Sequence, residues 1–153
     1  MRYFEDIEIG NEMTAGPYEV TADEIVTFAK KWDPMPFHVD PEAAKKSHFG
    51  GLVASGSHTI AIYYALLHDL RRRAVEPFAA LAVLKLEIEF TGPVRAGDKI
   101  SISSTPIEKR ESKSNDKVGI TKMQVVLTNQ DGAKVLALVA TGMFARRPTT
   151  PAA

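Results

Sequence analysis

The segment from Ser57 to Leu70 constrains the fold more than any other part of the chain. It has the length of a long helix, and its middle, Ile60 to Leu67, contains only aliphatic and aromatic side chains. A helix whose side chains are apolar all around its axis is usually buried on every side. Arg71 to Arg73 suit its C-terminal end, where the helix dipole favours cations. The sequence therefore predicts one long helix that the rest of the fold encloses.

The chain beyond this helix has the two-residue period of β-strands. Hydrophobic residues from Leu84 to Phe90 alternate with charged ones, which is typical of a strand with one buried face. We therefore predict an α+β fold, a single domain in which a curled antiparallel sheet wraps around one long helix. Three more strands with the same pattern are predicted: Ile100–Ser103 with an interruption at Pro106, Val118–Leu127, and Val135–Phe144.

A shorter amphipathic helix is predicted before the long one. Thr21 and Glu24 fit a capping box, in which the threonine hydroxyl accepts from a backbone N–H and the glutamate reaches back to the N-cap backbone. An apolar stripe with helical spacing follows and ends at Trp32. Pro34 disfavours helical geometry at Asp33, so the helix should end there.

The remaining N-terminal segments are predicted from turn and cap residues. Asp40 and Pro41 suit the N-cap and first position of a short helix that ends near Lys46. Residues 1–14 should form a short strand or an extended arm with a turn at residues 10–11, and Gly16-Pro17 should form a second turn.

Composition excludes several classes of protein and site. Acidic and basic residues balance at 19 each, so nothing indicates a nucleic-acid-binding protein. The absence of cysteine excludes disulfides, thiolate catalysis and cysteine-ligated zinc. No signal peptide or membrane-spanning run is visible, and we expect a cytoplasmic protein without membrane contact. Residues 1–147 are expected to be the domain, and residues 148–153 a disordered, Pro-rich tail.

The stretch WDPMPFHVDP places an acid and an imidazole in an unusually stiff piece of backbone. Asp33 and His38 are five residues apart, and Pro34 and Pro36 restrict the link between them. A carboxylate and an imidazole that share one water molecule can move its proton at neutral pH. Alternatively, Asp33 is a turn residue that bonds local backbone N–H groups and His38 is a buried packing residue.

A second candidate feature is the glycine-rich segment FGGLVASGS that leads into the long helix. Backbone N–H groups at a helix N-terminus are free to stabilise negative charge. Gly56 would let a ligand approach the backbone closely, because it has no side chain. The alternative is that these glycines only allow tight packing or a turn.

Together these segments resemble the signature of the MaoC-like dehydratases, or (R)-specific enoyl-CoA hydratases, of the hot-dog fold. That family's motif reads Asp-x-Asn-Pro-aliphatic-His-x-Asp, followed by a small helix and a glycine-rich segment that ends in His-Gly before the central helix. Asp33, Pro36, His38 and Asp40 match it in identity and spacing, and Gly56 matches the family glycine. TGPVRAGD also resembles a family loop. The chain departs from the pattern at three positions: Met35 in place of Asn, Ser55 in place of His, and Tyr64 where a small hydroxyl residue can occur.

The resemblance implies a site and a reaction. Asp33 and His38 would orient water and manage both protons, and the N–H of Gly56 would stabilise the enolate oxygen of a 2-enoyl thioester. No metal and no cofactor are implied, apart from the CoA or acyl-carrier-protein thioester that is the substrate. His48, His58 and His68 are expected at the surface or in packing. The residues expected to line the substrate site, with core packing as the alternative, are Phe37, Leu52, Ser55, Ser57 and Tyr64.

The expected activity is therefore hydration of a 2-enoyl thioester or dehydration of its 3-hydroxyacyl partner. Two alternatives stay open: a thioesterase of the same fold, and a non-catalytic acyl-thioester-binding protein. A lone sheet of this type leaves a long edge unpaired, and the resembled family closes it by dimerising. We therefore expect at least a homodimer.

Overall fold

The computed structural model describes residues 1–148 and is built on one antiparallel sheet of five strands in the order β1-β3-β4-β5-β2. Helices and strands together confirm the predicted α+β class. Of the predicted tail, residues 149–153 lie outside the described residues. The helices are α1 (Ala22–Trp32), α2 (Pro36–Val39), α3 (Pro41–Lys46) and α4 (Gly56–Arg73), after a 3-10 turn at Phe4–Asp6; the strands are β1 (Met13–Glu19), β2 (Ala80–Phe90), β3 (Lys99–Glu111), β4 (Val118–Thr128) and β5 (Lys134–Ala145).

The core lies between α4 and the concave face of the sheet. Ile62, Tyr63 and Leu66 on the inner side of α4 are almost completely buried. They belong to one cluster with alternate residues of the three central strands, as the two-residue period predicted. Burial of each such side chain contributes roughly 1.5–3 kcal/mol. The strand residues of this cluster include Ile100, Ile102, Val125, Leu127, Leu136 and Leu138.

The prediction that α4 is buried on every side is wrong for the described chain. Ser57, Ala61 and Ala65 lie one turn apart on the outer side of the helix and are exposed, as is His68. A single helix that lies on a sheet buries the stripe that faces the strands, and no described element covers the opposite stripe. Alanine adds little apolar surface there, so its exposure costs little free energy.

The first half of the chain follows the predicted helix boundaries but not every predicted contact. Thr21 caps α1, because its hydroxyl accepts from the backbone N–H of Glu24 at 3.2 Å. The prediction that Glu24 reaches back to the N-cap backbone is wrong, since its carboxylate instead accepts from side chains that include the Thr21 hydroxyl. Asp40 caps α3 as predicted. The four-residue helix α2, which begins at Pro36, was not predicted.

Two prolines lie inside strands where the sequence predicted a turn and an interruption. Gly16-Pro17 is part of β1, with a register shift against β3 between Ala15 and Tyr18. A Cβ on Gly16 would lie 2.9 Å from the carbonyl oxygen of Ile100, so glycine fits this close approach. Strand β1 is at the sheet edge, where proline is tolerated.

Strands β2 and β3 are longer than predicted. Strand β3 continues through Pro106 to Glu111, with a register shift after the proline. The pairing of β3 with β1 ends before Pro106, so the missing proline N–H breaks no ladder on that side. Strand β2 begins at Ala80 rather than at Leu84. Across residues 1–148, no helix is both long and apolar enough to cross a membrane.

Candidate active site

Helix α2 is tied to the segment that leads into α4. The Nδ1–H of His38 donates to the carbonyl oxygen of Val53 at 2.6 Å. The backbone N–H of Val53 in turn donates to the carbonyl of Phe37 at 3.3 Å. Because a carbonyl can only accept, this bond requires a proton on Nδ1, so Nε2 is the nitrogen that can accept a proton when the ring carries only one. His38 is 7% exposed, so few other orientations of its ring are open.

The free nitrogen of His38 faces the carboxylate of Asp33. Nε2 and Oδ2 are 3.6 Å apart, which is too long for a direct hydrogen bond. The Asp33 side chain is 40% exposed, whereas that of His38 is 9% exposed, so the pair opens to solvent on the acid's side. Asp33 follows α1 directly, and its N–H donates to the carbonyl of Ala29 at 2.9 Å. A water molecule could contact both groups from that side.

The N-terminus of α4 lies three residues after Val53, the residue that His38 contacts. Ser55 is the N-cap, and its hydroxyl accepts from the N–H of His58 at 3.1 Å. Gly56 is the first residue of the helix, and within residues 1–148 its N–H has no hydrogen-bond acceptor. A Cβ on Gly56 would lie 3.0 Å from the ring of Phe90, which packs over this position. The unpaired N–H and the helix dipole favour negative charge here.

Of the other residues predicted for the substrate site, the structure shows a direct contact with the Asp33–His38 pair only for Phe37 among the described residues. The ring of Phe37 meets the ring of His38 edge-on at 4.6 Å. Ser55 is fully buried, and its hydroxyl is occupied by the cap and by the Ser57 hydroxyl at 3.1 Å. Leu52 and Tyr64 are half-buried and pack against the core cluster, and Ser57 is exposed. The described residues show no hydrogen bond from these side chains to Asp33 or His38.

Sequence reasoning missed a partly buried polar cluster made of Tyr18, Glu24 and His58. The Tyr18 hydroxyl donates to Glu24 Oε1 at 3.0 Å, and His58 Nε2 lies 3.2 Å from the same oxygen. Burial lowers the pKa of His58, although the nearby Glu24 carboxylate opposes this shift. Burial and the bond to Glu24 raise the pKa of Tyr18. Glu24 and His58 are 34 residues apart, so no local sequence signal paired them.

The cluster borders an open cavity of about 420 Å³ between α1 and α4.

His58 is buried, whereas His48 and His68 lie at the surface as expected. Within residues 1–148, no group of three His, Asp or Glu side chains is arranged to hold a metal ion.

Comparisons with known proteins agree with this architecture. A MaoC-like dehydratase from Rhodospirillum rubrum, whose crystal structure is known, is 34% identical. The match covers 97% of this chain and 100% of that chain, with a TM-score of 0.87. Among curated proteins, a 3-hydroxybutyryl-CoA dehydratase from Methylorubrum extorquens is 27% identical over 116 residues, which is 72% of this chain and 70% of that protein.

A second curated relative matches over a shorter region. The uncharacterized protein YdeM from Bacillus subtilis is 39% identical over 62 residues, and the match covers 40% of this chain and 44% of that protein. A family model described as "MaoC like domain" matches residues 6–129, which is most of the chain. The chain therefore belongs to the MaoC-like dehydratase family, and its domain has the hot-dog fold.

Proposed function

We propose that this protein is a hydro-lyase that interconverts 2-enoyl thioesters and 3-hydroxyacyl thioesters. The proposal includes a CoA carrier, the (R)-configuration of the product and no cofactor beyond the thioester itself. The observation that carries it is the pair Asp33 and His38, held 3.6 Å apart, with the imidazole proton directed away at Val53. Family membership supports the reaction class.

The geometry supports the following chemistry for hydration. A water molecule between Asp33 Oδ2 and His38 Nε2 gives a proton to the bare nitrogen, and its oxygen bonds to C3 of the enoyl group. The electron pair of the C2=C3 bond moves onto the thioester oxygen as an enolate. The enolate then collapses and takes a proton at C2 from the protonated pair. One water is consumed, and both its hydrogens are accounted for.

The enolate oxygen needs a hydrogen-bond donor that is already in place. We propose the N–H of Gly56, because it has no acceptor within residues 1–148 and lies at the positive end of the 18-residue helix α4. Preorganised donors of this kind commonly account for about 2.7–4 kcal/mol of transition-state stabilisation.

The substrate would enter from the exposed side of Asp33. Phe37, beside His38, is our proposed contact for the reacting end, and Leu52, Ser55, Ser57 and Tyr64 remain proposed as lining. Arg95 is a proposed contact for carrier phosphate, since its guanidinium bonds the carbonyl of Phe49 at 2.8 Å beside the glycine-rich segment. A cation there would attract a phosphorylated carrier.

We also propose a homodimer that forms through β2. This strand is last in the sheet order, so one of its edges has no partner within the described chain. Its apolar side chains are unusually exposed, with Leu81 at 53%, Leu84 at 55% and Phe90 at 54%. An uncovered apolar edge of this length invites pairing with another strand. A second copy of β2 would extend the sheet and cover these residues.

The test is a paired assay with crotonyl-CoA. Absorbance of the enoyl-thioester band reports loss of the double bond, and a thiol reagent reports free CoA. Hydration predicts that the band falls without free thiol, and that chiral analysis finds the (R)-3-hydroxy product. Free thiol would instead establish a thioesterase. Tight binding with neither signal, on short and medium enoyl chains, would establish a binding protein and end the hydratase proposal.

A further inference from the structure

The polar cluster of Tyr18, Glu24 and His58 contains none of the proposed reacting residues, yet it joins α1, which Asp33 follows, to α4, which begins at Gly56. Helix α1 ends at Trp32 and presents Asp33 directly afterwards. Helix α4 begins at Gly56, and His58 is its third residue. Glu24 is in the first turn of α1, so its contact with His58 links one helix to the other.

The side chain of His58 makes two contacts with α1, one with Glu24 and one with Phe28. Its Nε2 lies 3.2 Å from Glu24 Oε1, and its ring stacks on Phe28 with centroids 4.6 Å apart and planes 10° apart. Glu24 and Phe28 are four residues apart and so lie on the same face of α1. His58 is 5% exposed, and its Nδ1 is buried without a hydrogen-bond partner. A buried imidazole with one unsatisfied nitrogen costs free energy, so hydrophobic packing alone does not account for a histidine here.

The backbone of the same residue holds the start of α4. The N–H of His58 donates to the Ser55 hydroxyl that caps the helix, two residues from the N–H of Gly56. His58 therefore contacts α1 through its side chain and stabilises the N-terminus of α4 through its backbone N–H.

We infer that Glu24 and His58 are positioning residues that set the location of Asp33 relative to the N–H of Gly56. This inference rests on the proposed function. Glu24 and Asp33 are nine positions apart, which is about 13.5 Å along the axis of a helix. A tilt of α1 by about 4° would then move Asp33 by about 1 Å, and a displacement of about 1 Å can cost a catalytic site about a hundredfold in rate.

The exposure of α1 supports this reasoning. Only Ile25 and Ala29 of this helix are fully buried, and its C-terminal residue Trp32 is 65% exposed. With only two residues fully buried, few side chains of α1 fix its direction against the sheet and α4. The contacts of Glu24 and Phe28 with His58 add to these and orient α1 relative to α4.

The test compares Glu24→Ala and His58→Phe with two controls. His58→Phe keeps a ring to stack on Phe28 but removes the link to Glu24. Glu24→Gln keeps an acceptor oxygen and should rescue the function. Tyr18→Phe removes another hydrogen bond from the same carboxylate, but one that comes from β1 rather than from α4.

With crotonyl-CoA as the substrate, we expect kcat to fall about tenfold to a hundredfold in Glu24→Ala and in His58→Phe, with KM within about twofold of wild type. The double variant should lose no more than the worse single variant, because both remove one link. Glu24→Gln and Tyr18→Phe should stay within about threefold of wild type. If kcat is unchanged in both disruptive variants while the melting temperature falls, the link is only structural and the inference fails. A change confined to KM would also overturn it.

A second readout does not depend on turnover. Trp32 is the single tryptophan of the chain and is adjacent to Asp33. Its fluorescence anisotropy should fall in Glu24→Ala and in His58→Phe, and should be unchanged in Tyr18→Phe. An inactive wild type would refute the proposed function. The anisotropy of Trp32 would then still decide whether the contact between Glu24 and His58 holds α1 in place. Unchanged anisotropy in both disruptive variants would show that this contact does not hold α1, whatever the substrate is.

Discussion

The Nδ1–H of His38 donates to the carbonyl oxygen of Val53 at 2.6 Å, and this bond turns Nε2 toward Asp33. If this orientation serves proton transfer, removal of either side chain should damage kcat far more than KM. We expect about a 10²–10⁴-fold loss of kcat in His38→Ala and in Asp33→Asn with crotonyl-CoA. Steady-state kinetics of purified variants would measure it.

The matched control is His68→Ala, since His68 is an exposed histidine on α4. Its kcat should equal that of wild type within about twofold. Near-wild-type kcat in Asp33→Asn would remove Asp33 from the proposed mechanism.

The N-terminus of α4 has little room for a side chain at Gly56. A Cβ there would lie 3.0 Å from Phe90, so Gly56→Ala should displace the ring or the helix start. We expect kcat to fall roughly tenfold or more, because the N–H donor moves. Gly56→Ala with Phe90→Leu should recover part of the loss, since leucine vacates the contact. Gly51→Ala is the control, because its Cβ would meet only Arg95 at an ordinary 3.6 Å. Equal kinetics for Gly56→Ala and Gly51→Ala would contradict the proposal.

Packing of the N-terminal arm depends on the absence of a side chain at Gly119. A Cβ on this residue of β4 would lie 2.1 Å from the buried ring of Phe4. Gly119→Ala must therefore displace that ring, and we expect it to lower the free energy of unfolding by about 1–3 kcal/mol. Urea denaturation would measure the change, again with Gly51→Ala as the control. An unchanged unfolding midpoint would mean that Phe4 leaves its position at little cost.

The proposed dimer makes the edge of β2 sensitive to charge. Leu84 is 55% exposed in the single chain, and a lysine there should oppose strand pairing between copies. We expect Leu84→Lys to shift the protein from dimer to monomer in light scattering coupled to size exclusion. Val75→Lys is the control, since Val75 is fully exposed and lies outside every strand. A wild-type monomer at micromolar concentration would count against this interface.

Burial of His58 makes stability depend on pH in a defined direction. Burial lowers the pKa of His58 below its usual 6.5, against the opposing effect of Glu24. Below about pH 6.5 the unfolded chain therefore binds a proton that the folded ring resists, and the free energy of unfolding falls as the pH drops through this range.

Denaturation at pH 7.5 and pH 5.5 should show a larger loss of stability on acidification in wild type than in His58→Phe. The other three histidines are present in both proteins, so the difference isolates His58. Equal losses in the two proteins would show that His58 does not cause the pH dependence.

Much of the fold could be predicted because its signals are local. The two-residue alternation that predicted β2 to β5 follows from the pleat of a strand, and Pro34 fixed the end of α1 at Trp32. The resemblance also identified Asp33, His38 and Gly56 as candidate site residues. The turn expected at Gly16-Pro17 was wrong because strand pairing with β3 outweighed the local preference for a turn.

The sequence alone determined helices α1, α3 and α4 and the presence of strands β2 to β5, because periodicity, caps and prolines act within a few residues. Only the tertiary structure decided which nitrogen of His38 is free, because the carbonyl of Val53 is 15 residues away. It also decided the pairing of Glu24 with His58 across 34 residues and the exposure of one side of α4. These features depend on how elements pack in space, and hydrogen bonds and burial between distant residues exist only once the chain has folded.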